Sequence, residues 1–291
     1  MGAALSGSYR ENESAPPWPR TGLDDVPESC LSVILGSLDP PDICRLAGVS
    51  RSFRDASSAD FVWESKLPCN YKYLVREVLG EDPEGMTKRE IYARLCRRPN
   101  RFDGGTKEVW VDKVSGGMSL CISFKALKIT GIDDRRYWNH IRTDESRFNT
   151  VAYLQQIWWV EVVGEMEFQF LPGYYTVFFR LRLGKASQGL FGWKASDLEQ
   201  VHGWDIKPVR FQLSTSTGQR SSSECYLYDP GNWVCYHVGD FHVDDLDMPV
   251  KFKFSMVQID CTHTKGGLCV DSVIICPTTE INRHKSRMPM P

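Results

Sequence analysis

Apolar residues recur at steps of three and four in the first third of the chain and at steps of two thereafter. Helices are therefore predicted first and strands after them. The segment at 26–53, VPESCLSVILGSLDPPDICRLAGVSRSF, predicts three short helices. Leu31, Ile34, Leu35 and Leu38 share one face of the first, which opens at Pro27 with Glu28 beside the positive end of its dipole. Asp39, followed by Pro40 and Pro41, stops that helix and caps a second, which carries Ile43, Leu46 and Ala47. A third begins at Ser50 with Phe53 and Ala56, and Trp63 comes after the SSAD turn as an anchor. So short a bundle cannot bury this many apolar positions alone, and the surplus asks for a partner.

Two further helical segments, YKYLVREVLG and KREIYARLCRRP, read as a linker that sets the orientation of the next domain. Asn100, Asp103, Gly104 and Gly105 then mark a turn-rich boundary. Beyond it, in YYTVFFRLRL, Tyr175, Val177, Phe179, Leu181 and Leu183 alternate with a second, partly solvated set. KEVWVDK, KALKIT, QIWWVEV, KPVRFQL, WVCYHV, KFKFSMV and GLCVDSVII are read as further strands. The expected architecture is α+β and multidomain: a leader over 1–22, a helical module over 23–68, a linker over 69–105, an antiparallel jelly-roll β-sandwich over 106–277 and a tail over 278–291.

Composition narrows the function classes. A chain of 291 residues with 42% hydrophobic residues has room for about two packed domains. Net charge is −2 and no basic cluster stands out, which gives no footing for nucleic-acid binding. No run of about 18 apolar residues predicts a membrane-spanning helix. The ten cysteines include no C-x-x-C pair and no secretory signal precedes them, so they read as reduced thiols. Cys261, His263, Cys269 and Cys276 have no familiar zinc spacing, and neither metal nor other cofactor is expected. G-x-S-x-G, phosphate-loop and H-E-x-x-H motifs are all missing, which argues for a non-catalytic protein. Gly2, in MGAALS, satisfies the N-myristoylation pattern; one acyl chain would give only weak membrane association, and a cytoplasmic or nuclear location is expected.

Val26-Pro27, Ile34-Leu35, Leu38, Asp42-Ile43, Leu46, Val49-Ser50, Phe53-Arg54 and Trp63 together resemble the F-box in order and spacing. That resemblance implies docking on a Skp-type adaptor and, through it, on the cullin and RING subunits of an SCF ubiquitin ligase. The implied adaptor contacts are Val26, Pro27, Leu31, Ile34, Leu35, Leu38, Pro41, Ile43, Leu46, Val49, Phe53 and Trp63. The blocks KALKITGIDDRRYWNHIRTDESRF, QIWWVEVVGEMEF, HGWDIKPVRFQL, GNWVCYHVGDF and QIDCTHTKGGLCVDSVIICP resemble the plant phloem protein 2, or Nictaba-type lectin, domain. Lectin members of that family bind N-acetylglucosamine oligomers and N-glycan cores through tryptophans near the start of the domain. Tyr137-Trp138 matches one such position, and Gly131 stands where the lectin pattern has the other. Asp133, Asp134, Tyr137, Trp138 and Asn139, with Trp193 as a second aromatic contact, are therefore the expected target or sugar site. Three readings are open: a ligase receptor for a protein or glycoprotein target, a lectin working outside a ligase, and a sandwich that has lost sugar binding. Of the remaining tryptophans, Trp204 and Trp233 read as structural, and Trp158 and Trp159 as pointing to opposite faces of a strand with one of them in the core.

Overall fold

A computed structural model describes residues 26–97, 99–112, 116–186, 200–244 and 248–280. The leader over 1–22 with Gly2, Trp193, and the tail beyond 280 lie outside the described residues. The chain forms two compact units that divide between Ser65 and Lys66.

The N-terminal unit has, among the described residues, four short helices where three were expected: α1 (Glu28–Gly36), α2 (Pro40–Leu46), α3 (Arg51–Ala56) and α4 (Asp60–Glu64). Pro27 is the N-cap of α1, one place earlier than its expected position inside the helix. The N-cap of α3 is Ser50, whose side chain accepts the Phe53 N–H. Asp60 opens the additional helix, and this helix carries Trp63. Trp63 is buried and donates its indole N–H to the Ser57 carbonyl at 2.6 Å. Ser32 ties α1 to α3 by donating to the Ala56 carbonyl at 3.0 Å.

In the C-terminal unit two antiparallel sheets enclose one large core, as a β-sandwich does. Its strands are β1 (Asn100–Phe102), β2 (Lys107–Val111), β3 (Met118–Ser123), β4 (Lys128–Ile129), β5 (Trp138–Arg142), β6 (Thr150–Leu154), β7 (Val160–Phe168), β8 (Gly173–Leu183), β9 (Val209–Thr215), β10 (Arg220–Cys225), β11 (Trp233–Val243), β12 (Val250–Gln258) and β13 (Leu268–Pro277). The larger sheet is centred on β13, which pairs with β8 along one edge and with β6 and then β3 along the other. The smaller runs β10-β9-β12-β7-β4. Phe179 of β8 packs edge-on to Phe254 of β12, joining the two inner faces.

The segment expected as a linker is part of this unit. Tyr71, Leu74, Val75 and Val78, on a helical stretch that begins at α5 (Tyr71–Tyr73) and continues as a π-helix over Leu74–Leu79, are buried in the sandwich core. Ile91 and Leu95 of α6 (Lys88–Arg97) join them. The outer face of β8 also departs from expectation, because Thr176, Phe178 and Arg182 are buried as well. Residues 143–149 supply the cover. Phe148 packs with Cys121, Phe178, Cys235, Ile274 and Cys276, Ser146 donates to the buried Asp271 at 2.5 Å, and Glu145 pairs with Arg182 at 2.6 Å.

Candidate functional site

In the N-terminal unit, helical geometry splits the apolar face that periodicity had grouped together. Leu31 and Leu35, one turn apart, point inward with Ile43, Phe53 and Trp63, and all five are buried. These five are core residues and not surface contacts, which corrects their expected role at a partner interface. Ile34 lies about 100° away from Leu35 on α1 and is 51% exposed, with Val33 beside it also exposed. Pro27, Pro41 and Val49 are exposed too, while Val26, Leu38 and Leu46 are half-buried. The surplus apolar surface is thus real and narrower than expected.

In the sandwich, five segments that connect the sheets meet at a single end: 130–137, 155–159, 200–208, 226–232 and 259–267. The register places them there, since Leu268 faces both Leu154 and Leu183, Trp138 faces Leu154, and Gln258 faces Val160. Paired bridges lock the loops together, Ile157 with Lys265 and His202 with Gly266. At the centre lies Lys265, wholly buried, whose ammonium donates to the carbonyls of Trp158 at 2.6 Å, His263 at 3.2 Å and Asp260. Burial pushes its pKa below the ordinary lysine value. A Cβ on Gly266 would sit 2.4 Å from the Gln155 carbonyl oxygen, so this crossing of backbones requires glycine.

The expected site residues within the described segments all reach this end, in unlike states. Asp133 and Asn139 are exposed and Tyr137 is half-buried. Asp134 accepts the Arg136 guanidinium at 2.6 Å and its backbone N–H at 2.9 Å, and these donors hold the carboxyl below the usual carboxylate range. Trp138 does not present a ring for stacking: it is 2% exposed and donates its indole N–H to the Thr130 carbonyl at 2.9 Å. Gly131 adopts φ +72°, and a Cβ there would stand 3.1 Å from the Tyr137 ring. Trp193 falls outside the described residues.

Periodicity missed the aromatic surface that is present. Trp158 and Trp159 precede β7 instead of lying on a strand, and both are exposed, at 55% and 39%. The signal available in the sequence was the Gln155-Gln156 pair, which interrupts the apolar run of Val151–Leu154 just before Ile157, Trp158 and Trp159. Trp204 and Trp233 are buried, as their structural reading implies. Cys269 and Cys276 are buried on β13, whereas Cys261 is exposed in the preceding loop. Among the described residues no cluster of three or more His, Cys, Asp or Glu could hold a metal ion, and no helix is long and apolar enough to cross a membrane.

The family model for F-box-like sequences matches residues 23–67, and that for phloem protein 2 matches residues 117–277. The F-box protein PP2-A11 of Arabidopsis thaliana is 56% identical over 276 residues, covering 94% of this chain and 93% of that protein. F-box protein PP2-A13 of the same plant is 56% identical over 281 residues, covering 95% and 96%. Among solved structures, TmCBM61 in complex with beta-1,4-galactotriose aligns with a TM-score of only 0.29 at 15% identity, over 52% of this chain and 88% of that one. The two family matches and the near full-length relatives agree with the two units of the structure. The chain belongs to the plant F-box proteins that carry a phloem protein 2 domain.

Proposed function

We propose that the chain is the target-receptor subunit of an SCF-type ubiquitin ligase, non-catalytic in itself. Its F-box docks on a Skp-type adaptor, which links it to cullin and RING subunits, while the sandwich recruits the target. The observation that carries this reading is the set of exposed apolar side chains on the F-box unit, Val33 and Ile34 of α1 with Pro41 and Val49, outside an already closed core. Water-exposed aliphatic residues on so small a unit gain free energy by burial against a partner. The receptor then acts by proximity, since a target lysine held near the ubiquitin thioester reacts at a raised effective concentration. Ile34→Asp is expected to weaken co-purification with a Skp-type adaptor at least tenfold while leaving thermal unfolding unchanged. Undiminished adaptor binding by a folded variant would overturn the assignment.

The target itself is a protein or a glycoprotein. Exposed Asp133 and Asn139 beside Tyr137 support a sugar-reading end. Against it stand the buried Trp138 and the left-handed Gly131, which remove both of the tryptophan platforms that the lectin pattern implies.

A further inference from the structure

The loop end gathers exposed apolar side chains, Trp158, Trp159, Ile206, Tyr226, Tyr228 and Ile259, whereas the outer face of the smaller sheet is largely polar. Strand register sorts that face into rows. Arg220 of β10 stands opposite Ser214 of β9, and Ser214 stands opposite Lys253 of β12. Two residues along, Ser222, Gln212 and Ser255 make a parallel row. Residues directly opposite in an antiparallel pair share a face, and the core side chains Leu213 and Phe254 occupy the other one. The six polar side chains line a hollow of about 520 Å³. We propose that this hollow binds a phosphate monoester, and that its occupant is a phosphorylated serine or threonine in an extended segment of the target. The choice of a target segment as the source rests on the reading of the chain as a ligase receptor.

Charge selects the ligand. The hollow has two cations, Arg220 and Lys253, and no carboxylate lines it. Among the described residues neither cation is held in an ion pair, and none of the six side chains is taken up by a hydrogen bond. The carboxylates that adjoin the rows are engaged by other cations. Glu165, opposite Lys253, accepts the Lys251 ammonium at 2.7 Å, and that bond is the main reason its carboxyl lies below the usual carboxylate range. Glu224, two residues beyond Ser222, accepts the Arg210 guanidinium at 2.8 Å. The neighbouring hollow, about 820 Å³, makes the contrast: three lysines and three glutamates line it, so it selects neither sign.

Geometry and donor number favour a phosphate over a carboxylate. Arg220 and Lys253 are two strand spacings apart, about 10 Å, so both long side chains reach a group held above Ser214. A phosphate monoester carries about −1.5 to −2 charge and three acceptor oxygens, where a carboxylate has a single charge and one oxygen fewer. Two cations, with the hydroxyls of Ser214, Ser222 and Ser255 and the Gln212 amide as further donors, match the phosphate. An extended chain fits because the two hollows share Lys253 and so form one trough across β10-β9-β12-β7-β4. Four strand spacings of about 4.8 Å make that trough about 19 Å long, the span of about six extended residues. A free phosphate ion would leave most of it unused.

The full chain is screened against an immobilised library of peptides with a central phosphoserine and random residues on both sides, and against the unphosphorylated twin of that library. Enriched sequences are then synthesised in both forms for fluorescence anisotropy. The phosphorylated form is expected to bind at least tenfold tighter, with affinity falling at least fivefold in Arg220→Ala and in Lys253→Ala. Arg142→Ala removes an equal charge from an exposed position on the other sheet and should leave affinity level. All three sites are exposed, so thermal unfolding of the variants should stay where it is. The proposal is overturned if no phosphorylated sequence enriches over its twin, if Arg220→Ala and Lys253→Ala bind as the unaltered chain does, if Arg142→Ala loses as much as they do, or if inorganic phosphate binds as tightly as the peptides. Binding to a Skp-type adaptor is measured in parallel, and its failure in the unaltered chain would sink the receptor reading separately from the phosphate site.

Discussion

Trp138 and Trp158 carry the same side chain in opposite surroundings, and only their neighbours tell them apart. The first closes the sandwich with its indole N–H on the Thr130 carbonyl; the second leaves more than half of its surface in water. Trp138→Ala is therefore expected to cost about 3–5 kcal/mol of stability in urea unfolding, by lost burial and the cavity left behind. Trp158→Ala should shift the same curve by no more than about 0.5 kcal/mol, as exposed substitutions do. If the two variants unfolded alike, the burial assignment would be wrong. Leu35 and Ile34 are the same lesson on α1, one inside and one outside although adjacent in sequence. No single-residue signal separates such pairs, because periodicity fixes a face only to within the width of the apolar stripe.

At the scale of elements, the 130–137 crossing explains why a family tryptophan position is occupied by glycine. Its backbone is left-handed at Gly131, and the Tyr137 ring closes over it. Gly131→Trp is expected to destabilise the sandwich by about 1–2 kcal/mol from backbone strain alone, and to gain no affinity for N-acetylglucosamine oligomers by isothermal titration calorimetry. Unchanged stability together with new sugar binding would show that the loop accommodates the ring. Strands with clear alternation, β8, β9 and β12, were legible from the sequence, whereas QIWWVEV was read as a strand about four residues ahead of β7. KALKIT was not: only Lys128–Ile129 pair as strand, after a 3-10 turn over Phe124–Ala126. β10, RSSSEC, escaped notice because an edge strand of serines and charges has no hydrophobic rhythm to read.

For the whole molecule, the boundary between the two units matters most. Tyr71, Leu74, Val75, Val78, Ile91 and Leu95 belong to the sandwich core, although they precede the expected start of that domain at residue 106. Each buried side chain of this size contributes about 1.5–3 kcal/mol, so removing all six subtracts on the order of 10 kcal/mol, as much as a typical domain's entire stability. A chain trimmed to begin at residue 106 should accordingly be unfolded or aggregated, whereas one beginning at Lys66 should unfold cooperatively by circular dichroism. A well-folded shorter chain would contradict the packing. The sequence by itself determined the order of the two modules, their family, and the helical and two-residue periods that build them, because these depend on local patterning and on motifs short enough to read along the chain. Tertiary structure alone decided which apolar residues are core and which face solvent, that the segment between the modules completes the second core, and that four of the five crossing loops gather six exposed apolar side chains at one end. Those outcomes depend on strand register and on contacts between residues about a hundred positions apart, such as the bond from Lys265 to the Trp158 carbonyl, for which no local pattern exists.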